Sequence, residues 1–472
     1  MLTVTNTRTR SRQELVRPRG RPLTLYACGP TVYRTAHVGN LRTFLLADLV
    51  RRALASEGVD VRAVQNITDV GHLAGDTHDE GADKVQLAAE VEGRSTEEIA
   101  AFYTERYMAD ADALNLRRYD AYPRATDHID AMLDLIRRLE AGGYAYDTRA
   151  AVYFDVRRFP RYGALSGNRL EDLRPGHRSG RTAPDKRFHA DFALWRKAGP
   201  RRGAAWDSPW GRGFPGWHIE CSAMGLELLG ERIDVHLGGV DLAFPHHESE
   251  IAQSEAAVGH RVVDVWMHGA HVLSDGRKMA KSTGNVLDVA ALREGGLDPL
   301  AFRLLCLQAR YRTQLNVTWD ALAGADRSLA RLRQRVGELS RATDDATDQQ
   351  AADEVEARFL AAVCDDLDTP TALQLVHEVA AGEGCAAELS PGARAALLRR
   401  CDAILGLDLV RDLDRVHSDG PPLPPGAPEQ MASRERARAA KEWTAADELR
   451  TELSALGVDV IDTPDGPRWT LR

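Results

Sequence analysis

Residues 23–65 read LTLYACGPTVYRTAHVGNLRTFLLADLVRRALASEGVDVRAVQ, and this stretch decides the fold class. Its first six residues (LTLYAC) form a short apolar run of the kind that makes a buried strand, ended by Gly29-Pro30. From Asn40 to Ser56 the apolar residues recur at helical spacing and stop before Glu57-Gly58. Residues 59–65 (VDVRAVQ) then alternate like a second strand. Strand, helix and strand with short connections make a parallel βαβ unit, and so an open α/β sheet. Ligands of such sheets bind beyond the carboxyl ends of the strands, where Cys28 and the run Asn66-Ile67-Thr68-Asp69 fall.

Outward from this unit, residues 83–113 and 126–141 carry helical patterns. Between about 145 and 216 the texture changes to short apolar pieces among Gly, Pro and Arg, which reads as an insertion. Strand character returns at 232–237 and 261–268, with a helix opening at Pro245 between them. From 325 to about 410 the chain is rich in Ala, Leu and Arg at helical period, as in an antiparallel bundle. Residues 418–429 (SDGPPLPPGAPE) are too Pro-rich to build a core and read as a linker. One helix over 430–456 and a strand pair around Pro464-Asp465-Gly466 complete the chain.

The bulk numbers bound the answer. At 472 residues the chain exceeds what one hydrophobic core supports, so two to four domains are expected. A net charge of -9 argues against a generally basic nucleic-acid binder while leaving room for a local basic face. Six cysteines without regular spacing point away from a disulfide framework and toward a reducing cytosol. No apolar signal core opens the chain and no window reaches a membrane span, so a soluble cytoplasmic protein is expected.

Two segments carry phosphate chemistry. His37-Val38-Gly39-Asn40 sits where a loop enters a helix, and helix N-termini attract phosphate through free N–H groups and the macrodipole. His37 and Asn40 are one turn apart and able to donate to phosphate oxygens, while Gly39 lets an adenine ring approach the backbone. Residues 275–285 (DGRKMAKSTGN) hold Lys278 and Lys281 one turn apart in a Gly-flanked loop, where two point charges neutralise a polyphosphate. Alone, the first is an ordinary helix start and the second a solvated basic turn. Together, in this order and about 240 residues apart, they resemble the HIGH and KMSKS motifs of class I aminoacyl-tRNA synthetases. HVGN and KMAKS depart from both patterns yet keep the histidine, the glycine and both lysines; Met279 and Ser282 complete the second motif.

Metal ligands come from three segments: Cys28, residues 216–224 (GWHIECSAM) with His218 and Cys221, and residues 244–250 (FPHHESE). His246 and Glu250 are i and i+4 and share a helix face. Cys, Cys, His and a carboxylate make a zinc set of mixed softness, although His218 or His247 serves as well as His246 on spacing alone. The segments YACGPTVY, NITDVGH, PGWHIECSAM and FPHHESEIAQSEA resemble the cysteinyl-tRNA synthetase family over nearly the full length.

That resemblance implies one zinc ion held by Cys28, Cys221, His246 and Glu250, with the substrate thiolate as a further ligand. It places Thr68, Trp217, His236 and Asp241 around the bound cysteine, with Leu237 standing where the family has glycine. It implies ATP with magnesium, L-cysteine and tRNA(Cys) as partners, and a monomer. In the C-terminal module Arg438, Trp443, Asp447 and Asp462 match the anticodon-reading positions; packing within the module is the competing role for Trp443.

The implied architecture is an α/β Rossmann-like catalytic domain (1–118 and 217–270) with an inserted connective domain (119–216). A stem-contact region with the KMSKS loop (271–324), a helical bundle (325–415), a Pro-rich linker (416–429) and a small α+β anticodon-binding domain (430–472) follow. Two alternatives remain. One is a cysteine ligase that passes the adenylate to an amino-sugar, as in mycothiol synthesis, and lacks the terminal module. The other is a non-catalytic RNA-binding paralogue, which predicts the loss of a phosphate-binding group or metal ligand.

Overall fold

The computed structural model describes residues 1–73, 82–173, 184–199, 202–274, 276–278, 287–341, 349–411, 424, 426–440, 442–463 and 466–471. Contacts divide the chain into two compact units. The first comprises Met1–Arg327, Ala357–Gln374 and Ala403–Leu407; the second comprises Ser328–Glu356, Leu375–Asp402 and Asp408–Arg472.

In the first unit, a hairpin of β1 (Thr3–Asn6) and β2 (Ser11–Glu14) precedes β3 (Leu23–Ala27), α1 (Val38–Ser56) and β4 (Val61–Gln65). Every residue of β3 is buried, as befits an interior strand of a parallel sheet. Helices α2 (Lys84–Glu92) and α3 (Thr96–Ala113) replace the single helical pattern of 83–113. The break falls at Gly93, which caps α2 with φ +65 where a side chain would be strained, and Ser95 opens α3 with a capping box.

After α4 (Ile129–Ala141) the insertion forms an antiparallel sheet of β5 (Ala145–Asp147), β6 (Ala151–Phe154), β7 (Phe192–Lys197) and β8 (Gly213–Pro215). The chain then returns through α5 (Trp217–Leu229), β9 (Ile233–Gly239), α6 (Glu248–Val258) and β10 (Val263–Gly269). Strands β10, β9, β3 and β4 pair in that order, all parallel, so β3 lies inside the sheet with Cys28 at its carboxyl end. One apolar cluster joins Tyr26 and Val64 through Met132 and Ile136 of α4 to Phe154 and Trp195 of the insertion.

The helical stretch opens at Pro245 as expected, because Phe244 is the one residue of Ala243–His247 with non-helical dihedrals. Phe244 is extended (φ -141, ψ 132), and the irregular turn Ala243–His247 leads into α6 at Glu248. A residue preceding proline is sterically driven out of the helical region. Beyond β10, β11 (Val272–Ser274), β12 (Arg277–Lys278) and β13 (Leu315–Val317) form a small sheet. Helices α7 (Val289–Glu294) and α8 (Pro299–Leu307) lie between its last two strands.

Arg303 of α8, fully buried, donates to Asp48 of α1 at 2.6 Å and to the carbonyls of Leu405 (2.6 Å), Leu114 (3.0 Å) and Asn115 (3.1 Å). Arg52 donates to the same Asp48 carboxylate at 2.7 Å. A buried charge is tolerated on such terms, paired and with its remaining donors satisfied.

Helices α9 (Trp319–Leu339), α10 (Gln349–Cys364), α11 (Thr369–Ala381) and α12 (Pro391–Leu405) occupy the region read as a bundle. At the C-terminus the single helix expected over 430–456 is two, α13 (Ala427–Ala439) and α14 (Trp443–Ala455). Strands β14 (Val458–Thr463) and β15 (Gly466–Leu471) pair antiparallel behind them. Ala427, Met431, Leu453, Val458 and Val460 make the core of this small module. Most of the Pro-rich stretch lies outside the described residues.

Candidate metal centre and active-site cleft

Cys28 is the first residue beyond β3. Its N–H donates to the carbonyl of Leu237 at 3.1 Å. A Cβ on the next residue, Gly29, would fall 1.7 Å from the Asn66 carbonyl, so only glycine lets the chain leave the sheet here. Cys221 lies one turn into α5, His246 in the irregular turn, and Glu250 in the first turn of α6. The donor atoms of these four buried residues all lie within 4.8 Å of one another.

His246 Nε2 stands 3.0 Å from Glu250 Oε1, and Cys28 Sγ is 3.9 Å from the same oxygen. The other ring nitrogen of His246 meets His218 Nδ1 at 2.9 Å, which turns Nε2 toward the carboxylate. His218 thus sits behind His246. His236 and His247 approach the same cluster from β9 and from the turn.

Burial pushes the Cys28 thiol and the Glu250 carboxyl well above their ordinary ranges, while the bond from Cys28 draws Cys221 down to about 7. Burial also drives His236 and His247 well below the usual range, so their imidazoles are neutral and keep a lone pair. Two thiols, a carboxyl group and an imidazole in one buried cluster make a set that could hold a metal ion, and donors of this mixed softness fit zinc.

A cavity of about 310 Å³ runs from this cluster to the start of α1, lined by Cys28, His37, Asn40, Trp217 and Asp241 among others. His37 is the N-cap of α1, and its Nδ1 accepts from the Asn40 N–H at 3.4 Å. Burial lowers its pKa from 6.5 to about 4, with Arg34 adding to the effect. Gly39 lines the same wall.

Thr68 and His236, expected in the cysteine pocket, are buried and are not among the residues that line the cavity. Thr68 receives Asn66 Nδ2 at 3.0 Å and donates to Glu220 Oε2 at 2.9 Å. The Trp217 ring lies 4.2 Å from that of His246 and is stacked at 4.2 Å on His72. His72, bonded to Thr31 and Lys84, lines the cavity without having been expected there. Its only sequence signal was its place just beyond the NITD run.

Lys278 closes β12 opposite Leu273. Its side chain, together with Met279, Lys281 and Ser282, lies outside the described residues. Leu287, which resumes the chain, accepts the Val38 N–H at 2.8 Å. In the second unit Trp443 is the first residue of α14, 58% exposed, with the Arg438 guanidinium 5.9 Å from its ring centre. That exposure is the opposite of a packing role. Asp447 is exposed one turn on, and Asp462 stands opposite Pro467 in the terminal hairpin.

Comparison with known proteins gives this geometry a context. Residues 15–327 match the family described as tRNA synthetases class I (C) catalytic domain. Residues 420–469 match the cysteinyl-tRNA ligase anticodon binding domain. The chain is 45% identical over 461 residues to a cysteine--tRNA ligase of Thermus thermophilus, covering 95% of this chain and 94% of that protein. It is 41% identical to the Salinibacter ruber cysteine--tRNA ligase, with coverage of 95% and 94%. Against the Bacteroides fragilis cysteine--tRNA ligase the identity is 37%, with coverage of 100% and 99%. Among solved structures, the Mycobacterium tuberculosis methionyl-tRNA synthetase bound by methionyl-adenylate superposes with a TM-score of 0.59. At 16% identity, covering 84% of this chain and 93% of that one, it speaks for the fold alone.

Proposed function

The chain belongs to the cysteinyl-tRNA synthetase family, and from that premise we propose how its residues join L-cysteine to tRNA(Cys). The enzyme is a class I ligase that activates cysteine with ATP and passes the cysteinyl group to the 3′ end of the tRNA. The observation that carries the residue assignments is a single cavity reaching from Cys28 to His37 and Asn40. It lets the metal end hold a thiol while the α1 end receives the phosphates of ATP.

Zinc is the ion, one per chain, held by Cys28, Cys221, His246 and Glu250, and magnesium accompanies ATP. When bound, zinc lowers a thiol's pKa and prefers the soft thiolate to a serine hydroxyl. An apolar pocket would separate the two near-isosteres by only about 1–3 kcal/mol. Trp217 and Asp241, with the buried Thr68 and His236, shape the cysteine pocket. Thr68 is prevented from turning away by its bonds to Asn66 and Glu220.

The cysteine carboxylate attacks the α-phosphorus of ATP, pyrophosphate leaves, and a terminal ribose hydroxyl of tRNA then displaces AMP. Both steps need placement and charge stabilisation rather than a protein nucleophile. His37, with Nδ1 engaged by the Asn40 N–H, offers an Nε2 proton to a phosphate oxygen. The α1 N-terminus and Asn40 add to that field, and Lys278 and Lys281 meet the polyphosphate. Arg438, Trp443, Asp447 and Asp462 meet the anticodon, an exposed ring beside a guanidinium being suited to stacking on an unpaired base.

The protein acts as a cytoplasmic monomer. Six cysteines, none in a disulfide, support a reducing compartment, and among the described residues no helix is long and apolar enough to cross a membrane. The decisive experiment combines metal analysis with cysteine-dependent pyrophosphate exchange and tRNA charging. Exchange without charging, with transfer to an amino-sugar, would overturn the tRNA reading; no exchange in zinc-loaded protein would overturn the enzyme.

A further inference from the structure

The metal cluster contains more donors than one ion needs. Cys28 and Glu250 belong to a second buried set, completed by His236 and His247, whose donor atoms also lie within 4.8 Å of one another. The separations within this set run from 3.2 to 3.9 Å, close to the edges of a coordination tetrahedron. Cys28 Sγ stands 3.5 Å from His236 Nε2 and 3.2 Å from His247 Nε2. Glu250 lies 3.6 Å from His236 Nε2 through Oε2 and 3.9 Å from His247 Nε2 through Oε1. Zinc bonds of about 2.3 Å to sulfur and about 2.0–2.1 Å to nitrogen or oxygen, at the tetrahedral angle, give edges of about 3.4–3.6 Å.

The surroundings hold the two added histidines in this pose. His247 Nδ1 meets His268 Nε2 at 2.8 Å, and His268 Nδ1 meets Thr7 Oγ1 at 2.8 Å. That chain fixes the ring and aims Nε2 at Cys28 and Glu250, the outer support that ligating histidines have. A Cβ at residue 238 would stand 2.7 Å from His247 Cε1, so Gly238 makes the room that the ring occupies. His236 is stacked on Trp266 at 4.4 Å.

We propose that Cys28, His236, His247 and Glu250 form a second seat for a divalent transition-metal ion, overlapping the seat that uses Cys221 and His246. Because Cys28 and Glu250 serve both, one ion occupies one seat at a time. The second seat has one thiolate where the first has two, so it is less anionic and suits harder borderline ions such as cobalt(II) and nickel(II). The site thereby keeps an ion when the Cys221 thiolate is lost.

This inference rests on the zinc reading above, and the test separates the two. Full-length parent, Cys221→Ala, His247→Ala and the double variant are loaded with cobalt(II), their metal content and absorption spectra are read, and folding is checked by circular dichroism. The parent and His247→Ala hold about one equivalent, using the first seat. Cys221→Ala also holds about one equivalent, with thiolate-to-cobalt charge-transfer absorption reduced to about half because one thiolate remains. The double variant falls to about a tenth of an equivalent or less. A parent without metal overturns the zinc reading. A metal-loaded parent beside a folded, metal-free Cys221→Ala overturns the second seat alone, as does a double variant that keeps its ion. Cys221→Ser, closer in shape, replaces Cys221→Ala should the latter fail to fold.

Discussion

The backbone N–H of Val38 donates to the carbonyl of Leu287 at 2.8 Å. Val38 is the first residue of the helix that begins beside His37, and Leu287 is the first described residue after the stretch that holds Lys281. The first phosphate motif is thus tied by one bond to the chain just beyond the second. Proline is tolerated at the first helical position, and the extended His37 before it suits a following proline. Val38→Pro should therefore delete this donor with little else. Cysteine-dependent pyrophosphate exchange is expected to slow by roughly fivefold, matching about 1 kcal/mol for the bond, with cysteine affinity unchanged by calorimetry.

His37 sets a pH dependence. Burial holds it at about 4 rather than 6.5, so the folded site keeps the imidazole neutral where the unfolded chain protonates it. The folded form is favoured above 6.5, and this contribution is lost as pH falls from 6.5 toward about 4. The exchange rate should be insensitive to His37 between roughly pH 6 and pH 8, the window in which an ordinary histidine titrates. His37→Gln should cut exchange by about 10²–10³ while lessening the loss of urea resistance between pH 7 and pH 5. A parent whose rate follows a group near 6.5, absent in that variant, would contradict the assignment.

Cys28 belongs to every donor set in the cluster. Cys28→Ala should leave about a tenth of an equivalent of metal or less, and the cysteine-dependent exchange should vanish with it. Plasma emission spectrometry on dialysed protein reads the first quantity directly.

The Arg303–Asp48 pair is a stability element. Replacing Arg303 with Met leaves the buried Asp48 carboxylate to Arg52 and the Arg117 N–H, and takes the Arg303 donor from the carbonyls of Leu405 and Leu114. A loss of about 3–5 kcal/mol is expected, seen as a lowered urea midpoint.

Trp443 tests the RNA end. Its ring is more than half exposed, so Trp443→Ala should cost little stability. The tRNA KM should rise by about 5- to 100-fold, the value of one lost base-stacking contact, with pyrophosphate exchange intact. Normal charging kinetics would assign the ring to another role.

Much of this site was legible in the sequence because its residues stand at punctuation marks. Cys28 precedes Gly-Pro at a strand end, His37 precedes a helix, and His246 and Glu250 keep the i, i+4 spacing. That His236 and His247 both reach the Cys28 thiol was not legible, because it depends on β9 pairing beside β3 and on how the turn before α6 folds against that strand end. Phe244, held extended by steric exclusion before Pro245, marks where the helical stretch opens. The Arg303–Asp48 pair joins positions 255 apart, a pairing no local period announces. The insertion's strands, three to six residues long, are too short to carry an alternation signal.

Cys28 and Glu250 are separated by 222 positions. A ribosome adding about 5–20 residues per second takes roughly 10–45 s between them. For that interval every new copy carries a Cys28 thiol with no partner from α6, exposed to oxidants that the finished protein, with that thiol buried, excludes. Susceptibility to oxidative damage should therefore scale with the rate of synthesis and not with the amount of mature enzyme.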